Sequence, residues 1–287
     1  MNESPPARAV HHPRIPPPLS VLTRSPNVAA CLACACLSLC LCLLTVACLP
    51  VATYAAQSAK LTATLTPEHL GRGTTIGFNF RIDSSPGKVP PPLTEVDLRY
   101  PNNLGVATSG LGLATCTAAT LEASGPDGCP SESLMGIGSA VAAIPIGPEI
   151  VHETAPVTIF RAPTENGQIA LLLYANGATP VDAQLVLPSL LLPASAPFGG
   201  RVQIGVPLVP SLPDTPDVAV VQLRTTLGPL GITYYERHHG HTVAYHPRGL
   251  QLPDSCPRGG FPFAAQLSFV DGSTAAAHTV VPCPHVK

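Results

Sequence analysis

Downstream of residue 57, apolar and polar residues alternate along much of the chain. Over 60–66, Leu61, Ala63 and Leu65 share one face while Thr62, Thr64 and Thr66 share the other, the period-two spacing of a strand buried on one side. The pattern returns over 75–83, with Ile76, Phe78, Phe80 and Ile82 opposing Thr75, Asn79, Arg81 and Asp83. Val96, Leu98 and Tyr100 alternate with Glu95, Asp97 and Arg99; Val202, Ile204 and Val206 stand out along 201–207; Ala265, Leu267 and Phe269 alternate with Gln266 and Ser268. Such strands build antiparallel sheets with one wet face. Asn166-Gly167, between strands expected at 157–162 and 168–174, suits the positive-φ positions of a hairpin turn, as does Asp271-Gly272 between 267–270 and 279–281. One short helix is expected over 117–123. The 35 Pro leave little room for others, since Pro in a helix interior costs about 3 kcal/mol. The expected fold is all-β: an antiparallel β-sandwich, immunoglobulin-like or larger, built as one sandwich or as two packed together. Two sandwiches would meet near 147–156, where Pro145, Pro148 and Pro156 interrupt pairing. The Pro-rich stretches 187–197 and 207–216 are expected as loops or edge strands.

One segment departs from this pattern. Residues 28–51 carry no charge and follow Arg8, Arg14 and Arg24, so the positive-inside bias keeps the N-terminus in the cytoplasm and sends the remainder outward. Residues 1–56 are thus expected to be a signal or anchor segment and 57–287 the extracytoplasmic region. The run exceeds the roughly 7–15 apolar residues of an ordinary signal peptide and reaches the roughly 18 that can remain as an anchor. Three fates are open: cleavage after Ala55, lipidation at Cys48 through Leu44-Thr45-Val46-Ala47-Cys48, or retention as a transmembrane helix. Each leaves the body secreted or anchored on the outer side of the cytoplasmic membrane. The cysteines of the run, Cys31, Cys34, Cys36, Cys40, Cys42 and Cys48, read as small hydrophobes and not as metal thiolates, which need polar support.

Four cysteines follow the run: Cys116, Cys129, Cys256 and Cys283. An even number in an oxidising compartment implies two disulfides with three connectivities. Local pairing, Cys116–Cys129 and Cys256–Cys283, closes short loops and is the expectation here, each bridge contributing about 3 kcal/mol. A zinc site lacks the closely spaced Cys pair it would need. Around these cysteines, Ala114-Thr115-Cys116-Thr117, Cys129-Pro130-Ser131-Glu132-Ser133-Leu134-Met135-Gly136-Ile137-Gly138 and the closing Ser255-Cys256-Pro257, Phe269-Val270-Asp271-Gly272 and Val281-Pro282-Cys283-Pro284 resemble a family of exported actinobacterial β-rich proteins with paired cysteines. The resemblance spans most of 57–287. It implies export and a β-rich body, and it brings no catalytic residue.

Composition removes several functions. A formal net charge of −2 with charged residues at 11% offers no cationic footprint for nucleic acid, and 45% apolar residues argue for a folded core over disorder. No G-x-S-x-G or P-loop occurs, and Gly136-Ile137-Gly138 lacks the third glycine of a dinucleotide fingerprint. Glu95 and Asp97 share a strand face, as the paired carboxylates of a glycosidase would, but with Arg99 they read as a solvated, charge-alternating surface. The densest metal-capable cluster is His238, His239, His241 and His246. Strand alternation would put His239 and His241 on one face, a spacing that serves Zn or Cu, with Glu236, Asp254 or His152 as a further ligand. The competing reading is a solvated hairpin tip around Gly240. Glu149 and Glu153, flanking His152 in Pro-rich surroundings, read as loop. The sequence therefore points to a secreted or membrane-tethered cell-envelope protein that binds an envelope or extracellular ligand or plays a structural part, with no cofactor and no identifiable catalytic mechanism. The alternative is an extracellular metal-binding protein built on the His238–His246 cluster.

Overall fold

The computed structural model describes residues 57–84, 88–104, 114–211, 216–228, 233–245 and 250–284. Each alternating stretch forms a strand: β1 (Ser58–Thr66), β2 (Gly73–Asp83), β3 (Leu93–Pro101), β8 (Phe198–Gly205) and β13 (Phe261–Phe269). Between and around them run β4 (Leu134–Ile146), β5 (Glu149–Arg161), β6 (Ala170–Gly177), β7 (Ala183–Pro193), β9 (Ala219–Leu227), β12 (Leu250–Gln251) and β14 (Thr274–Val281). All pair antiparallel in one path, β1-β2-β9-β4-β5-β6-β7-β8-β3-β13-β14, with β12 added on β2. The two ends of the path, β1 and β14, lie side by side. Phe78 of β2 meets Phe263 of β13 edge to face across this seam, with ring centroids 5.4 Å apart. The result is a nearly closed, barrel-like sheet, in place of two separately hydrogen-bonded sheets.

Closure decides where the core lies. Ile76, Phe78, Phe80 and Ile82 point inward with Val96, Leu98, Val202, Ile204, Phe263 and Leu267 to form one continuous interior. A second, smaller core lies on the outside of the wall. There Leu172 and Tyr174 of β6 and Phe160 of β5 are covered by α1 (Ala118–Ser124) through Leu121, and by Cys116. β6 is consequently buried on both faces, so Ala170–Tyr174 reads as a continuous apolar run where a one-sided strand would alternate. Thr117 caps α1, its hydroxyl accepting from the Thr120 amide at 3.1 Å.

The prolines fall differently from the sequence expectation. Residues 187–193 belong to β7, an interior strand, and Gly147-Pro148 is the tip of the long β4–β5 hairpin inside one compact unit, not a domain boundary. Pro145 pairs with β5 just beyond the end of the β4–β9 ladder, Pro156 with β4 just before the β5–β6 ladder begins, and Pro188 with β6 just before the β7–β8 ladder begins. Pro262 likewise pairs only with β14. Each sits where one flank needs no N–H, so a strand that is central overall is locally an edge at its proline.

Both local disulfides are present, Cys116–Cys129 with Cα atoms 5.3 Å apart and Cys256–Cys283 at 5.9 Å. The first closes the α1 segment against β5, where the Cys116 amide donates to the Arg161 carbonyl at 2.8 Å. The second ties the loop before β13 to the chain after β14. The segment after Cys129 also has a structural reading. Ser133 is buried and its hydroxyl donates to the Pro130 carbonyl at 2.6 Å. A Cβ on Gly136 or Gly138 would collide with the β9 backbone at Thr226 and at Arg224 and Thr225, so the two glycines allow β4 and β9 to approach. Among the described residues no helix is long and apolar enough to cross a membrane. The run 28–51 and Cys48 lie outside the described residues.

Candidate functional site

Charged side chains gather on the outer face of β3 and β8. Inward-facing Val96 and Leu98 place Glu95, Asp97 and Arg99 outward, and inward-facing Val202 and Ile204 place Arg201 and Gln203 outward. The β3–β8 register sets Arg99 opposite Arg201 and Asp97 opposite Gln203. Like charges facing each other across an antiparallel pair destabilise it unless a counter-charge intervenes. Asp97 is that counter-charge: its Oδ2 accepts from Arg201 Nη1 at 2.6 Å and its Oδ1 from Arg99 Nε at 3.2 Å. Arg99 Nη2 also donates to Gln266 Oε1 of β13 at 3.3 Å.

The expected solvated surface is therefore corrected at Asp97, whose side chain is only 6% exposed, against 37% for Arg99 and 34% for Arg201. Both carboxylate oxygens are engaged by guanidinium groups. Beside the arginines, residues 193–198 fold over the ends of β7 and β8. Pro193, Ala194, Ser195, Ala196 and Phe198 enclose with Arg99 and Arg201 a pocket of about 380 Å³. Two cations line it and one anion, Asp97, is bonded to both of them, leaving an excess positive charge at the pocket. No sequence motif marks Arg201 as part of this site. Its polar face was legible from the alternation along 201–207, but its partners lie on β3, about a hundred residues earlier.

The histidine cluster forms a hairpin of β10 (Tyr234–His238) and β11 (His241–Tyr245). The turn falls on His239-Gly240, with φ of 48° and 83°, so His238 and His241 are register partners and His239 occupies the tip. The shared face expected for His239 and His241 is thus not formed, because the turn interrupts the alternation; the hairpin tip around Gly240 is what is seen. His239 and His241 are exposed, and His246 lies outside the described residues. Among the described residues, no three His, Cys, Asp or Glu side chains converge as a metal site requires.

Glu149 and Glu153, expected in a loop, belong to β5. Glu153 is buried and its carboxylate accepts from the amides of Ala178 at 2.5 Å, Thr179 at 2.9 Å and Val181 at 3.4 Å, fixing the β6–β7 turn. Inside the barrel a wholly apolar cavity of about 40 Å³ lies among Ile76, Phe78, Tyr100, Met135, Leu171 and Leu250, far below the roughly 300 Å³ of an organic-ligand site. Burial pushes the Tyr100 hydroxyl pKa up. Comparison with protein-family models, curated proteins and solved structures finds no match.

Proposed function

We propose that this protein is exported and works at the cell envelope, secreted or tethered to the outer side of the membrane, as a binding or structural module. The observation that carries the reading is the pair of local disulfides, both holding surface segments against one barrel-like body, since such bridges persist in oxidising compartments and are rare in reducing ones. The uncharged run 28–51 supports export from the sequence side. Binding, as opposed to catalysis, is favoured by the outer pocket, where the buried carboxylate is already held by two guanidiniums. At the level of layers, opposite walls of a flattened barrel packed over one core would be the sandwich expected from the strand pattern.

N-terminal sequencing and intact mass of the protein exported by a bacterial host, with and without reduction, test this. A chain that starts at Ala56, or at a lipidated Cys48, or that keeps 28–51 in the membrane fraction, and that gains two hydrogens per bridge on reduction, supports the reading. A chain retained in the cytoplasm with Cys116, Cys129, Cys256 and Cys283 all reduced overturns it. Metal binding at the hairpin tip, the second reading, draws on the register pairing of His238 with His241. Titration with Zn²⁺ and Cu²⁺ decides it, and the absence of binding tighter than about 1 mM removes it.

A further inference from the structure

The outer pocket of β3 and β8 has the composition of an oxyanion site, and we propose that it binds a small organic anion, its carboxylate or phosphate group held by Arg99 and Arg201. The inference rests on the binding reading above and gives that reading a ligand class. Three observations carry it.

Arg99 and Arg201 are held rather than free to sweep solvent. Asp97, buried beneath them, takes one N–H from each, and Gln266 takes another from Arg99. A guanidinium carries five N–H donors in a rigid fork, more than these bonds use, and both side chains remain about one-third exposed toward the pocket. The donors are thus oriented before any ligand arrives, which lowers the ordering cost of binding. Charge is the second observation. Arg99 and Arg201 are direct register partners, and the single negative charge of Asp97 neutralises only one of them. Glu95 is the next carboxylate on this face of β3, but it lies beyond Asp97, opposite Gly205, and does not line the pocket. An incoming anion would relieve the remaining repulsion, and two N–H forks converging on one group suit the paired oxygens of carboxylate or phosphate.

Shape is the third. The pocket volume of about 380 Å³ falls in the range of small-molecule sites, roughly 300–1,000 Å³. The lining presents more polar than apolar surface, with Pro193, Ala194, Ala196 and Phe198 supplying the apolar part, so the ligand would present a compact organic portion of mixed polarity behind its anionic head. Inorganic anions would use only the arginines; an organic anion would use both parts.

The test titrates the disulfide-bonded exported protein with benzoate, phenyl phosphate, inorganic phosphate and neutral benzyl alcohol, using calorimetry and the side-chain Nε–H resonances of Arg99 and Arg201. Saturable binding of benzoate or phenyl phosphate is expected, with both resonances moving, inorganic phosphate at least about tenfold weaker and benzyl alcohol silent. The stronger of the two aryl anions identifies the head group. Arg201→Gln should weaken binding at least about tenfold, and Arg201→Lys, which keeps the charge but loses the fork, should fall between. Ala194→Phe fills the pocket without touching the ion network and should abolish binding with the fold intact by circular dichroism, so the test survives even if Arg201→Gln fails to fold. No saturable binding by folded protein, binding insensitive to Ala194→Phe, or equal binding of benzyl alcohol overturns the proposal. The mass and N-terminal sequence are read independently, so loss of the anion site leaves the export reading to stand or fall separately.

Discussion

Replacing Asp97 by Asn would leave two guanidiniums opposed across one register pair with no negative charge between them. Removing one partner of a fully buried ion pair costs roughly 3–5 kcal/mol; with both arginines about one-third exposed, solvent screening brings the expected loss to about 2 kcal/mol. Urea denaturation of Asp97→Asn measures it, and added salt should recover part of the loss. Tyr100 makes a pH prediction. Its hydroxyl pKa is raised by burial, so the unfolded chain ionises first as pH climbs. The stabilisation is fully present below the ordinary tyrosine value near 10 and is lost as pH rises through the higher folded-state value. Alkaline denaturation should therefore show a component that Tyr100→Phe removes. Gly200, opposite Tyr100 in the ladder, leaves room for that ring: a Cβ at 200 would overlap it.

For the elements, the most informative positions are those where two ladders or two cores meet. Gly138 lies where the β9 backbone comes close to β4, so Gly138→Ala should destabilise by about 1–3 kcal/mol through overpacking. The same change at Gly147, in an open turn with φ of 58°, meets no neighbouring atom and strains only its own backbone, by about 1–2 kcal/mol. Thermal melts of the two variants separate crowding from backbone strain. Thr117→Ala removes the cap of α1 and should cost about 1 kcal/mol. Because α1 covers the outer core over β5 and β6, that loss should also raise amide exchange at Leu172 and Tyr174. Residues such as Pro188 were misleading as sequence signals. A proline argues against a central strand only if both flanks need hydrogen bonds at that residue, and which flanks are paired depends on where neighbouring ladders begin.

Across the whole molecule, the two bridges act on the unfolded chain. Loop-closure entropy for the sequence separations of 13 and 27 corresponds to about 3 kcal/mol for Cys116–Cys129 and about 3.5 kcal/mol for Cys256–Cys283. Paired Cys→Ala variants of each, followed by urea denaturation, should show losses of that order. The strands of the wall, the Asn166-Gly167 turn, the short helix and the outward face of Asp97, Arg99 and Arg201 were legible in the sequence because each rests on local periodicity or on a backbone preference of one or two residues. The pairing of Cys116 with Cys129 was favoured by proximity along the chain. Local pattern does not specify which strands become neighbours. That choice belongs to the tertiary structure, where hydrogen bonding between β3 and β8 and the seam of β1 with β14 join residues far apart in the chain to bury one apolar interior. It turned an alternating charged strand into a buried carboxylate between two arginines. Alternation fixes which face a side chain occupies; only the closed sheet decides what it meets there.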